Sequence, residues 1–335
     1  MPLPRSANRT GRANKPYMAS TDIVELWAGQ HALPSWFTEA LDVPREEAFV
    51  DVGGRKVHYF RWGKRGNPPL LLTHGFLAHA RCFAFIAPFL AEDYDIVAYD
   101  LAGMGESDIG AKFEGTQRAE DMVALADALE LFSGPVKPKI IAHSFGSGVA
   151  LTAMELVGQR FDGLIICDLM IMRPEKLMAH FKQGRGRPGS GKSDRPTNVY
   201  PDYMTARGRF ILSPSQDVQS PFLLDYMAYH SMRRIDGGWT WKFDPKVFHR
   251  SENDQVKWME APQRIADLPH RLAIVYGENS KLFDADSVAY LRELGGTHIP
   301  MIAVPKAEHH LMLDQPLAFV TALRSVLALW DYTRT

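Results

Sequence analysis

Short apolar runs and longer amphipathic stretches alternate along most of this chain. Apolar runs bounded by turn residues predict buried strands at 70–73, 95–99, 139–142, 163–167, 271–276 and 298–304. The stretches between and after them predict helices at 81–90, 116–131, 284–294 and 316–330. Ahead of this series, 47–52 and 56–62 flank Gly53-Gly54, the signature of two strands joined by a glycine turn. Segment 23–41 has the apolar spacing of short helices, broken near Pro34. Alternation of this kind predicts an α/β fold, a mostly parallel sheet with helices on both faces.

The alternation stops between 172 and 261. That segment opens on Arg173-Pro174 and runs through a Gly/Pro/Ser/Lys/Arg-rich stretch at 184–197. It then becomes aromatic, with Tyr200, Tyr203, Phe210, Phe222, Tyr226, Tyr229, Trp239, Trp241, Phe243, Phe248 and Trp258. A helical cap inserted between two strands is expected, splitting the chain into a core of 18–171 and 262–335 and a cap of 172–261. The aromatics are expected chiefly to form the cap's own core, with some facing a cleft. Residues 1–17 carry Arg5, Arg9, Arg12 and Lys15, no acid and no apolar periodicity. They are expected to be disordered; a targeting segment and a translation start at Met18 are the alternatives, and a secretory signal is excluded for want of an apolar stretch.

The chain has 335 residues, 46% hydrophobic and 23% charged, enough to bury a substantial core. A formal net charge of -1 gives no footprint for nucleic acid or an anionic membrane. The two cysteines, Cys82 and Cys167, are too few for a disulfide framework, which points to a reducing, cytoplasmic setting. The longest candidate span, 164–172, is too short to cross a membrane and is interrupted by Asp168.

Residues 140–148 read Ile-Ile-Ala-His-Ser-Phe-Gly-Ser-Gly: a strand, a tight turn and the start of a helix. Ser144 sits between the small residues Ala142 and Gly146, which a strained turn requires. Taken alone, Ser144 could equally be a helix N-cap. The string resembles the nucleophile elbow of the α/β-hydrolases, with Ala142 in place of the usual first glycine.

Three further stretches carry the same resemblance in the same order. Thr73-His74-Gly75-Phe76 is similar to the family's oxyanion turn. It implies backbone N–H donors at Phe76 and Phe145, with His74 as a structural brace. Asp100-Leu-Ala-Gly-Met-Gly-Glu-Ser107 is similar to a glycine-dependent turn of the family, a scaffold rather than a phosphate cradle. Residues 304–316 resemble the histidine loop, and the spacing to Pro316 implies His309 as the base, with His310 as its neighbour and competitor.

The acid departs from the pattern. Most relatives place it three residues after the glycine that ends the strand at 271–276, where this chain has Ser280 followed by Lys281. Some take it from the end of the preceding core strand, which supplies Asp168. Asp284 and Glu278 compete, and a missing acid would leave a catalytically weak binding protein. The resemblance implies a cofactor-independent, metal-free serine hydrolase acting on a carboxylic ester or related acyl bond of a small, apolar or aromatic substrate. Cleavage of a carbon–carbon bond in a β-diketone-like substrate, and acyl transfer to another acceptor, stay open on the same triad. So do a homodimer and a docking role for the basic stretch 182–195.

Overall fold

The computed structural model describes residues 33–109, 116–182, 196–248 and 257–333. The expectations for 1–17, for the first part of 23–41 and for most of 182–195 lie outside the described residues.

An eight-stranded sheet forms the centre, in the order β1-β2-β4-β3-β5-β6-β9-β10. Its strands are β1 (Glu46–Val52), β2 (Arg55–Trp62), β3 (Pro69–Thr73), β4 (Asp95–Tyr99), β5 (Lys139–His143), β6 (Gly163–Cys167), β9 (Leu272–Gly277) and β10 (Met301–Val304). β2 runs antiparallel to β1 and to β4, and the remaining pairs are parallel. Every residue of β3, β4, β5 and β6 is buried. Such strands read as continuous apolar runs because both faces are covered.

Successive residues go to opposite cores. Leu70, Leu72, Ile96, Ala98 and Ile141 pack with helices α1 (Ser35–Asp42), α6 (Pro221–His230) and α10 (Pro316–Tyr332). Leu71, Val97, Ile140 and Ala142 pack with α2 (Gln117–Ala128), α3 (Phe145–Val157), α7 (Ala261–Ala266) and α8 (Ala285–Glu293). The period of two thus feeds two hydrophobic layers from one sheet.

The helix expected at 81–90 does not form. The chain makes two 3-10 turns instead, Ala80–Phe83 and Ala87–Leu90. Residues 82–87 are all buried, whereas a helix lying on a core buries one stripe. Pro88 also removes the N–H that would have continued the ladder.

The segment between β6 and β9 differs from an all-helical insertion. It holds α4 (Pro174–Lys182), α5 (Tyr203–Arg207), α6 and a 3-10 turn at Pro245–Phe248. It also holds an antiparallel ribbon of β7 (Met232–Ile235) and β8 (Gly238–Trp241). Asp236-Gly237 forms the two-residue loop of that ribbon, a hairpin signal outweighed in the sequence by its aromatic surroundings.

The aromatics of this segment have three destinations. Tyr200, Tyr203, Phe210, Trp239 and Trp241 surround Ala206, Ala228 and Met232 in a cluster of their own. Phe222 and Tyr226 pack edge-on to Phe37 at centroid distances of 5.0 and 5.6 Å and so join the main core. Phe248 and Trp258 meet Phe76 and Phe145, beside the elbow. Cys82 and Cys167 are buried and unbridged. Among the described residues no helix is long and apolar enough to cross a membrane.

Candidate active site

Ser144 follows β5 directly and caps α3 with φ +50° and ψ −119°, a conformation that non-glycine residues rarely adopt. Its N–H donates to the Cys167 carbonyl at 2.9 Å, and its carbonyl accepts from Ser147 N–H at 2.8 Å, so the turn is fixed on both sides. A Cβ on Gly146 would lie 2.6 Å from the His74 carbonyl oxygen, which is why the residue two beyond the serine has no side chain. Gly75 also brings the β3 loop close, since a Cβ there would stand 2.9 Å from His143 Nδ1 and 3.3 Å from Ser144 Cβ.

His309 lies on the loop between β10 and α9 (Leu311–Asp314). Its Nε2 is 2.9 Å from Ser144 Oγ and its Nδ1 2.7 Å from Asp168 Oδ1. With Nδ1–H donating to the carboxylate, Nε2 is left to accept the serine hydroxyl proton. Asp168 stands one residue past β6, fully buried, with φ +50° and its N–H bonded to the Val275 carbonyl at 2.9 Å.

Two donors besides His309 hold the Asp168 carboxylate. The Gly277 N–H meets Oδ2 at 2.7 Å, and the Ser280 hydroxyl meets Oδ1 at 2.7 Å. Three hydrogen bonds to one buried carboxylate keep it aimed. Asp284 is elsewhere, capping α8 through the Ser287 N–H at 2.9 Å. Glu278 accepts the Lys306 N–H at 3.0 Å on the surface side of the loop. Neither competing carboxylate is bonded to His309.

Two further histidines, His143 and His74, brace the site. His143 Nε2–H donates to the His309 carbonyl at 2.9 Å. Burial, then the nearby His309, lowers its pKa to about 3, so it stays neutral and fixed as a donor. His74 accepts the Leu101 N–H at Nε2 and donates from Nδ1 to the Gly75 carbonyl, tying the oxyanion turn to the end of β4. Burial lowers its pKa as well. The predicted bracing role of His74 matches these contacts. His310 points away from Ser144, with Nε2 3.4 Å from the Pro214 carbonyl.

The rings of Phe76 and Phe145, which carry the two expected oxyanion donors, pack against each other at 5.4 Å. A cleft beside Phe145 is lined by Val149, Val247, Trp258, Arg118 and Arg264, among others. Trp258 stacks on Phe145 at 6.1 Å and Arg118 lies over the same ring at 5.2 Å. Sequence reasoning missed Ser280, because a lone loop serine carries no signal of its own. It also missed Gln216 and Asp314, which hold the loop around His309.

Residues 70–323 match the sequence profile of the alpha/beta hydrolase family. Over 116 residues the chain is 34% identical to the dihydrolipoyllysine-residue acetyltransferase component of the acetoin cleaving system of Pseudomonas putida, covering 34% of this chain and 30% of that protein. An uncharacterised hydrolase of Bacillus subtilis strain 168 is 30% identical over 104 residues, which is 30% of this chain and 37% of the relative. These matches thus leave more than half of each relative's length uncovered. The crystal structure of E-2-(acetamidomethylene)succinate hydrolase shares the fold, with a TM-score of 0.67 at 20% identity over 85% of this chain and 100% of that one. With its profile match running from β3 into α10, the chain belongs to the alpha/beta hydrolase family.

Proposed function

We propose that this protein is a serine hydrolase that cleaves a carboxylic ester or related acyl bond through an acyl-enzyme. The observation that carries the reading is the unbroken path from Ser144 Oγ through both nitrogens of His309 to Asp168. In this reading His309 Nε2 takes the Ser144 proton as Oγ attacks the acyl carbon, and Asp168 stabilises the imidazolium that forms. The N–H groups of Phe76 and Phe145 would receive the oxyanion. The imidazolium then returns its proton to the departing alcohol, and water repeats the sequence to free the acid.

The proximity of Asp168 to Nδ1 supports hydrolysis over a silent binding protein, whose motive was the absent acid after Gly277. Phe145 and Trp258 in the cleft beside the elbow support a substrate with an apolar or aromatic part, with Arg118, Lys257 and Arg264 on the same wall, and the segment between β6 and β9 is read as its cap. The relative in Pseudomonas putida is named for acetyl transfer, so an acceptor other than water is a second outcome of the same intermediate.

Intact-mass labelling with a fluorophosphonate probe tests the reading. Folded wild type should gain one adduct, and Ser144→Ala and His309→Ala should gain none. A folded wild type that stays unlabelled would overturn it.

A further inference from the structure

His309 sits on a loop, and loops hold a base less firmly than strands or helices do. Three contacts fix this one. The Glu308 N–H donates to Asp314 Oδ2 at 2.8 Å, the His310 N–H donates to Gln216 Oε1 at 3.0 Å, and the His309 carbonyl accepts from His143. The backbone is thus tied immediately before, at and immediately after the base.

Two of the three ties converge on one pair. Gln216 Nε2 donates to both oxygens of the Asp314 carboxylate, at 2.9 and 2.7 Å. Asp314 is buried and belongs to α9, directly beyond the histidine loop. Gln216 comes from the segment inserted between β6 and β9, 98 residues away in sequence. Its amide has no freedom to turn over. The oxygen is needed by the His310 N–H and the nitrogen by a carboxylate, so a flip would set donor against donor and acceptor against acceptor. Gln219 of the same segment adds a contact of Nε2 to the Lys306 carbonyl at 3.3 Å.

We propose that Gln216 is a positioning residue for His309, which makes the alignment of the base depend on the seating of the inserted segment. The proposal rests on the serine hydrolase reading and adds a control to it. When the segment is seated, Gln216 and Asp314 hold the loop with Nε2 facing Ser144. Without the Gln216 contacts the His310 N–H and one side of Asp314 lose their partner together, and the base is no longer held at hydrogen-bond distance. A misplacement of about 1 Å can cost on the order of 100-fold in rate.

The test reverses the polarity of the pair. Gln216→Glu sets a carboxylate against Asp314, and Asp314→Asn sets an amide nitrogen against the nitrogen of Gln216 at the Oδ1 contact while keeping an acceptor at the Oδ2 contact. In the double variant the new glutamate accepts both the His310 N–H and the asparagine nitrogen in place of the Oδ1 contact, while the asparagine oxygen keeps the Glu308 N–H and loses the Oδ2 contact to residue 216. The full chain is titrated at pH 8 with the fluorophosphonate probe, and maximal labelling rate is separated from probe affinity; thermal melting is recorded for each protein.

With affinity unchanged, Gln216→Glu should lose roughly 10- to 100-fold in maximal labelling rate and Asp314→Asn less, and the double variant should label faster than Gln216→Glu alone. Singles that label at the wild-type rate would overturn the proposal. So would a double variant as slow as the product of the singles, since a scaffold role alone does not predict rescue. A folded wild type that takes no label would instead overturn the serine hydrolase reading, which separates the two failures.

Discussion

Ser280 Oγ lies 2.7 Å from Asp168 Oδ1, so the residue in the position where an acid was expected donates a hydrogen bond to the carboxylate proposed in its place. The two positions are neighbours in space across β6 and β9, although 112 residues separate them in sequence. An aspartate at 280 would place two carboxylates on one buried spot and push a proton onto the pair. A serine there supplies a donor instead. Asp168→Asn should therefore lower turnover by about 10⁴, because the wrong tautomer of His309 is then favoured. Ser280→Ala removes one of three donors and should cost about 1–3 kcal/mol of stability and only a modest fraction of turnover. Steady-state kinetics on an activated ester, with chemical denaturation alongside, separates the two. An Asp168→Asn enzyme as fast as wild type would remove Asp168 from the triad.

The two other carboxylates considered for the acid should be dispensable for rate. Asp284 caps α8, and Asp284→Asn keeps a capping side chain, so both stability and turnover should stay near wild type. Glu278→Gln weakens one contact to the Lys306 N–H in the histidine loop and should change turnover less than tenfold. A loss approaching that of Asp168→Asn in either variant would reassign the acid.

Ser144 illustrates a site bought with backbone strain. At φ +50° and ψ −119° a side chain is disfavoured, and glycine is the residue that relaxes there. Ser144→Gly should be more stable than Ser144→Ala by about 1 kcal/mol while both are unlabelled by the probe. Differential scanning calorimetry of the two inactive variants measures the difference without interference from activity. Equal melting temperatures would mean that the turn holds no strain to release.

How much of this was legible in the sequence follows from how local each signal is. Ser144 and the two small residues beside it lie within five positions, and the spacing from His309 to Pro316 is equally short, so both could be read from strings. Asp168 was visible as a strand end, but its partner lies 141 residues away and only the fold joins them. Ser280 showed only as the place where an acid was missing, and Gln216 left no trace, because serine and glutamine in loops are ordinary and their partners are distant. The 3-10 turns at 80–90 were mistaken for a helix because burial on all sides hides the period on which helix recognition depends. The ribbon of β7 and β8 did leave a signal, Asp236-Gly237, in a segment expected to be a helical cap.

A last prediction concerns pH and lies behind the oxyanion turn. His58 is buried between two carboxylates, with Nδ1 2.8 Å from Asp100 Oδ2 and Nε2 3.2 Å from Glu47 Oε1. Burial alone would lower its pKa, but the hydrogen bonds and charges of Asp100 and Glu47 outweigh it and raise the value to about 9. The same pairing holds Asp100 below the usual carboxylate range against its own burial. Asp100 in turn accepts the Ala80 and Glu106 N–H groups at 2.6 and 2.9 Å, so the ion pair anchors the turn that follows β4. A histidine whose folded pKa is raised contributes stability that is full below its unfolded pKa of about 6.5 and is lost as pH rises through the folded value. The contribution is on the order of 3 kcal/mol and should fade between about pH 6.5 and 9. His58→Gln cannot titrate, so its melting temperature should change less across that window, and the wild-type excess should shrink by on the order of 5 °C. Parallel pH profiles for wild type and His58→Gln would mean that His58 is not charged in the folded protein, and the turn after β4 would then owe its position to neutral hydrogen bonds alone.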